Sequence, residues 1–262
     1  VFHMVGIDRH GKYVWRRKVT RRKLVSTLAQ LEPCKVVLEA CAASHHWARQ
    51  INACGHDARL IAPQHVKPYR RGQKNDYRDA EAIISASLSP GIHFVGIKTA
   101  EQQAEQALHR VRSRLLSHCN AAANELRGLL GEYGYAFTTG HKALRLGALA
   151  FIDSGQAEAL GLVEMITDVL EEMVHLEQRL QHYERQIEQR VKVDAISCRL
   201  REELSGVGVL SASALRVKVA DARDFGNGRN FAAYLGMAPG HRIPAPGVGP
   251  PAFGLPPQAL PA

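Results

Sequence analysis

Four carboxylates in the first eighty residues have the types and spacing to do phosphodiester chemistry. Asp8 closes the short β-like run that begins at Val1, and Glu39 follows Val36-Val37-Leu38, a buried-strand pattern. Asp76 and Asp79 lie three residues apart where a helix opens, which puts both on one helix face. Oxygen ligands in that number suit Mg2+ or Mn2+, and two such ions can clamp the attacking and leaving oxygens of a phosphodiester. Each acid also has a plainer reading. Asp8 can be a turn residue, and Asp76 and Asp79 can be acids favoured by the helix dipole. Taken as a set, with Lys74 and Asn75 directly ahead of the helix, they point to a metal-binding site.

Basic residues supply the other half of a nucleic-acid reading. Lys and Arg outnumber Asp and Glu by 34 to 25, giving a formal net charge of +9 and an isoelectric point near 9.5. Such a surplus favours a polyanionic partner, because each neutralised phosphate releases condensed counterions. The run from Arg16 to Lys23, which includes Arg17, reads either as a solvated face or as a track for a phosphate backbone. Lys67, Arg70 and Lys74 sit in a basic loop ahead of Asp76, and Arg110 and Arg114 lie along a later helix. Gly206 and Gly208 form a G-x-G turn between two helical patterns. Its freed amides can face a phosphate, as in helix-hairpin-helix elements, and a plain inter-helix turn is the alternative. His45 and His46 read as a packed helix start rather than as metal ligands. The five cysteines are scattered and form no C-x-x-C pair, which argues for reduced thiols. No apolar run reaches the ~18 residues a membrane span needs, and no secretory segment is visible, so a cytoplasmic protein without a membrane partner is expected.

The elements that must position these side chains fall into four stretches. Residues 1–97 alternate strand signals (Val1–Asp8, Lys12–Val19, Lys35–Leu38, Ala58–Ala62, Ile92–Ile97) with helical ones (Thr20–Leu31, Glu39 through Ile51, and from Asp76), which implies an α/β domain. In an RNase H-like sheet, adjacent central strands would bring Asp8 and Glu39 to one edge. Residues 98–195 turn helical. One helix is expected from Thr99 to Leu130, then an interruption at Gly131–Gly140, then a second from Gln156 to Asp194. In the second, Ile166, Val169, Met173, Leu176, Leu180, Tyr183 and Ile187 alternate steps of three and four, a heptad seam. That seam fits a dimerising coiled coil or an antiparallel pair within one chain. Residues 196–240 read as a small, mostly α domain. Residues 241–262 hold seven of the twelve prolines and one charged residue, Arg242, so this tail is expected to be disordered.

Val5-Gly6-Ile7-Asp8, Leu38-Glu39-Ala40-Cys41, Lys67-Pro68-Tyr69 and the tract Gln73-Lys74-Asn75-Asp76-Tyr77-Arg78-Asp79-Ala80-Glu81-Ala82-Ile83 resemble the insertion sequence 110 family of DEDD transposases. So do Leu204 to Val219 and Phe231 to Pro239, and the likeness runs in order from Val5 to Pro239. The resemblance implies a RuvC-like RNase H fold, with Asp8, Glu39, Asp76 and Asp79 as a tetrad for Mg2+ (or Mn2+). It further implies a dimerising coiled coil, hence a homodimer or higher oligomer, and DNA recombination guided by a structured RNA from the element itself. In the family, a serine just after the segment matching Gly236 to Pro239 joins DNA covalently. No serine follows Ser213, and the proline-rich tail stands in its place, as a frameshift would produce. The expectation is therefore a recombinase defective in covalent strand exchange. Two further readings stand beside it: a non-catalytic RNA- or DNA-binding protein that pairs with intact transposase, and a metal-dependent junction nuclease using the tetrad alone.

Overall fold

The computed structural model describes residues 1–70, 75–219 and 225–236. Lys74, the place expected for the family's serine and the proline-rich tail lie outside the described residues. By chain contacts the protein divides into a unit spanning Val1–Ala220 and a second spanning Asp221–Ala262.

The first unit opens with a hairpin. Strand β1 (Phe2–Ile7) pairs antiparallel with β2 (Tyr13–Val19), from Phe2 opposite Val19 to Ile7 opposite Tyr13. Its turn is built by Asp8 and by Gly11, whose φ of +80° only glycine adopts freely. Next come a 3-10 turn (Arg21–Lys23) and α1 (Leu24–Leu28), shorter than the expected helix to Leu31. Strand β3 (Lys35–Glu39), helix α2 (Ser44–Ala53) and β4 (Asp57–Ile61) make a parallel crossover unit. Two short turns, α3 (Pro63–Val66) and a 3-10 segment (Lys67–Tyr69), lead toward α4 (Asp76–Leu88). Strand β5 is only Phe94–Val95, antiparallel to β4, where a run to Ile97 was expected.

The sheet departs from the RNase H-like expectation. Strands β1 and β2 form one two-stranded sheet, and β3, β4 and β5 form another, so β1 and β3 share no ladder. They share a core instead. Val19, Leu24, Leu28, Ala48, Ile51, Ala58 and Leu60 are buried together, with Phe2, Met4, Val36 and Leu38 packed on them. Burial is non-directional, so strands can be held beside the same helices without pairing edge to edge. Helix α4 packs on both β1 and β3 and ties the two sheets together.

The middle is helical. Helix α5 (Ala100–Gly131) starts at a capping box in which Thr99 accepts from the Gln102 N–H at 3.2 Å and Gln102 accepts from the Thr99 N–H at 3.0 Å. Helix α6 (His141–Asp153) is an element for which the sequence reading made no provision. The expected single helix from Gln156 is two: α7 (Gln156–Ala159) and α8 (Val163–Val193), separated at Gly161, φ +68°. Helices α5 and α8 run antiparallel. Ile166, Leu170 and Met173 are buried with Ala122, Ala123, Leu126 and Leu130, while Leu176 joins Leu115 and Cys119. The heptad seam is thus closed within the chain, and the antiparallel pair is the arrangement present. Closing the seam on a second helix of the same chain avoids the translational entropy loss of joining two molecules. Arg112 reinforces the pair through Glu184 at 2.7 Å.

Helices α9 (Ala195–Glu203) and α10 (Val209–Lys218) turn about Gly206, φ +83°. Asp194 caps α9 by accepting from Ser197 N–H at 2.8 Å, and α10 packs on α5 and α8. In the second unit, α11 (Gly228–Leu235) is capped by Asn227, and Phe225 lies against Phe231 and Tyr234 with ring centres 5.2 and 5.0 Å away. Among the described residues no helix is long and apolar enough to cross a membrane.

Candidate active site and nucleic-acid interface

Glu39 is the last residue of β3, and Asp79 lies in the first turn of α4. Both reach Arg70. The Arg70 Nη2 donates to Glu39 Oε1 and Oε2 at 3.0 and 2.8 Å, and its Nε lies 3.4 Å from Asp79 Oδ1. Two of the four expected carboxylates are therefore brought onto one cation by a strand end and a helix start. Asn75 fixes that start, its side chain accepting from the Tyr77 N–H at 2.9 Å.

The other two acids are engaged separately. Asp76 stands 3.2 Å from His3 Nε2 on β1 and is largely exposed. His3 also packs edge-on against Tyr77, ring centres 4.8 Å apart, and these residues border an open depression with Asn75. Asp8 accepts from the N–H groups of His10 and Lys12, each at 2.9 Å, through one oxygen, Oδ1. It serves the hairpin turn, the plainer of its two sequence readings. Among the described residues no three acids, histidines or cysteines stand together as metal ligands.

The basic candidates divide in the same way. Arg16 is bound to Glu81 of α4, which clamps β2 to that helix, and Arg17 lies over the Trp15 ring at 5.1 Å. Arg70 is held by Glu39 and Asp79. The side chains of Lys67, Arg110 and Arg114 are exposed and have no hydrogen-bond or ion-pair partner among the described residues. Gly206 and Gly208 form the α9–α10 turn, with open space where a Cβ would stand on either. Sequence reasoning missed His3 and Glu81. His3 is marked only by its contact with Asp76 across β1 and α4, and Glu81, although inside the tract from Gln73 to Ile83, only by its pairing with Arg16 of β2.

Residues 1–135 match the family model of DEDD transposases of the IS110 type, described as transposase, and residues 198–243 match the Transposase IS116/IS110/IS902 family. The chain belongs to the IS110 family of transposases. It is similar to a probable family 20 transposase of Pseudomonas aeruginosa, 44% identical over 241 residues, covering 91% of this chain and 71% of that protein. It is also similar to the transposase for insertion sequence element IS1111A of Coxiella burnetii, 37% identical over 243 residues (91% of this chain, 66% of that one). The transposase for IS1328 of Yersinia enterocolitica is 34% identical over 238 residues (91% and 70%). Membership of this transposase family makes the chain a DNA-recombining enzyme by kind, and the match to residues 1–135 spans all four acids.

Proposed function

We propose that this chain is an insertion-sequence transposase for RNA-guided, Mg2+- (or Mn2+-) dependent DNA cleavage, with the metal held by Asp8, Glu39, Asp76 and Asp79, and that it is defective in covalent strand exchange. The observation that carries the reading is the convergence of Glu39 and Asp79 on the single guanidinium of Arg70. The donor chemistry fits a hard divalent cation: all four residues are carboxylates, and two of them already share one positive charge. A divalent ion there supplies Lewis acidity toward a phosphodiester. The chain's own residues do the rest. The hairpin turn holds Asp8, the end of β3 presents Glu39, and the first turn of α4 sets Asp76 and Asp79 on one face. Lys67, Arg110 and Arg114 offer cations for phosphates.

The test is cleavage of labelled element-end DNA by the full chain, with and without RNA transcribed from the element's non-coding end. Asp79→Asn and Glu39→Gln should each abolish Mg2+-dependent cleavage while leaving the melting temperature near that of the parent. Cleavage that persists in both variants would overturn the tetrad. Unpartnered Lys67, Arg110 and Arg114 favour a second reading, a nucleic-acid-binding protein without catalysis. That reading expects salt-sensitive RNA binding that survives neutralisation of all four acids.

A further inference from the structure

A second charged cluster, made only of bases, lies where α2 and α5 begin. Lys98 is 7% exposed, yet its ammonium has no hydrogen-bond or ion-pair partner among the described residues. Its surroundings are fixed through the backbone. The Lys98 N–H donates to His45 Nδ1 at 3.2 Å. Its carbonyl accepts from Arg49 Nη1 at 2.5 Å, and the same Nη1 donates to Gln103 Oε1 at 2.7 Å. These bonds draw α2 and the first turn of α5 around one lysine. Arg110, exposed on α5, adds a further charge close enough to lower the pKa of both Lys98 and His45.

This arrangement is costly unless something uses it. Burial, then Lys98, Arg49 and Arg110, push His45 down to about 4, so it is neutral at pH 7. Burial and then Arg110 also lower Lys98. The nearby acid Glu101 is fully exposed and is held by its own backbone N–H and by Thr99. The positive ends of two helix dipoles add to the same potential, and α2 starts without a side-chain cap. Packing alone does not account for Lys98, because an aliphatic side chain would fill the same space without like-charge repulsion. A buried stem that carries an ammonium without a partner, with the Arg49 guanidinium bound to the carbonyl of the same residue, is the construction of an anion site.

We propose that Lys98 and Arg49, with Arg110 further along α5, form a phosphate-binding site beside the start of α5 that grips the phosphodiester backbone of a bound polynucleotide. The proposal rests on the nucleic-acid-binding part of the functional reading and is independent of the carboxylates.

The experiment measures binding of the full chain to labelled duplex DNA and to labelled single-stranded RNA in EDTA, across a salt series. Lys98→Met keeps the stem and removes the charge, and Arg110→Gln is an exposed control that cannot unfold the core. Each should weaken binding and flatten the plot of log affinity against log salt by about one unit, as for loss of one phosphate contact. Lys98→Met should also melt higher than the parent, since repulsion is relieved. Inorganic pyrophosphate should raise the melting temperature of the parent and not of the variant. An effect on RNA alone, DNA alone or both would support the site and name its polymer. Unchanged affinity and slope in a folded Lys98→Met protein would overturn it. A pyrophosphate effect with unchanged polynucleotide binding would also overturn it, leaving only a site for free anions. If the parent binds neither polymer, the nucleic-acid reading itself fails along with the site.

Discussion

At Arg70 one guanidinium is shared by two carboxylates, and all three side chains are between 21% and 43% exposed. Exposed pairs of this kind contribute only about 0–1 kcal/mol, so Arg70→Met should lower stability by no more than about 1 kcal/mol. It should also leave Glu39 and Asp79 facing each other with no cation between them. The variant is therefore expected to gain more in melting temperature from added Mg2+ than the parent does. Equal gains in thermal unfolding would show that Arg70 and the metal do not compete. His45 carries a pH prediction. Burial first, then Lys98, Arg49 and Arg110, set its folded value at about 4, below the ordinary 6.5. As pH falls through 6.5 the unfolded chain takes up the proton first, so this contribution to stability is whole above 6.5 and shrinks toward pH 4. Burial, then Arg112, lowers His109 in the same direction, and its Nε2 lies 2.8 Å from Ser213 Oγ. His45→Gln should flatten the acid limb of a stability profile measured by urea unfolding, and an unchanged limb would assign the loss elsewhere.

Among the elements, the α5–α8 pair and α6 give the sharpest tests. Met173 is fully buried at the centre of the seam, and truncating such a side chain costs about 2–5 kcal/mol. Met173→Ala should lower the urea midpoint accordingly, by an amount that does not change with protein concentration, because the seam is filled by α5 of the same chain. A concentration-dependent midpoint would instead indicate that α8 serves an intermolecular coiled coil. On α6, a Cβ on Gly147 would fall 2.4 Å from the Phe137 ring. Helix propensity favours alanine there by about 1 kcal/mol, while overpacking costs about 1–3 kcal/mol. Gly147→Ala is therefore expected to be neutral to destabilising by about 2 kcal/mol. A variant more stable than the parent would show that Phe137 moves aside freely. Helix α6 was itself readable in principle: Leu144, Ala148 and Phe151 are its buried residues and recur at helical spacing. The interruption read at Gly131–Gly140 ends where this helix begins, and the pattern is not followed beyond it.

For the whole molecule, the charge surplus of +9 and the acid site make separate demands on a polynucleotide. Neutralising Asp8, Glu39, Asp76 and Asp79 together should abolish cleavage and leave the salt dependence of DNA binding intact, measured by anisotropy. A collapse of binding in that variant would mean that the acids, through Arg70, organise the interface as well. Much of this was legible from residues alone. The tract from Lys74 to Ile83 and the match of Val5–Asp8 point to the family, because those residues are consecutive and carry their chemistry in their order. The long helices at α5 and α8 follow from a period of three and four, with Thr99 and Gln102 marking a start. What the sequence could not decide is the partner of each face. A heptad seam specifies an apolar stripe and is silent on whether it closes on α5 or on another molecule. A carboxylate at a strand end does not reveal that Arg70 will lie between Glu39 and Asp79, or that Asp8 will be taken by its own turn. His45 reads as a helix start, Arg110 as one basic residue on a later helix, and Arg49 and Lys98 carry no mark at all; only the packing of α2 against α5 joins His45, Arg49 and Lys98. Local order sets periodicity and capping, whereas the meeting of distant side chains depends on the packing of whole elements, and that is settled only in the tertiary structure.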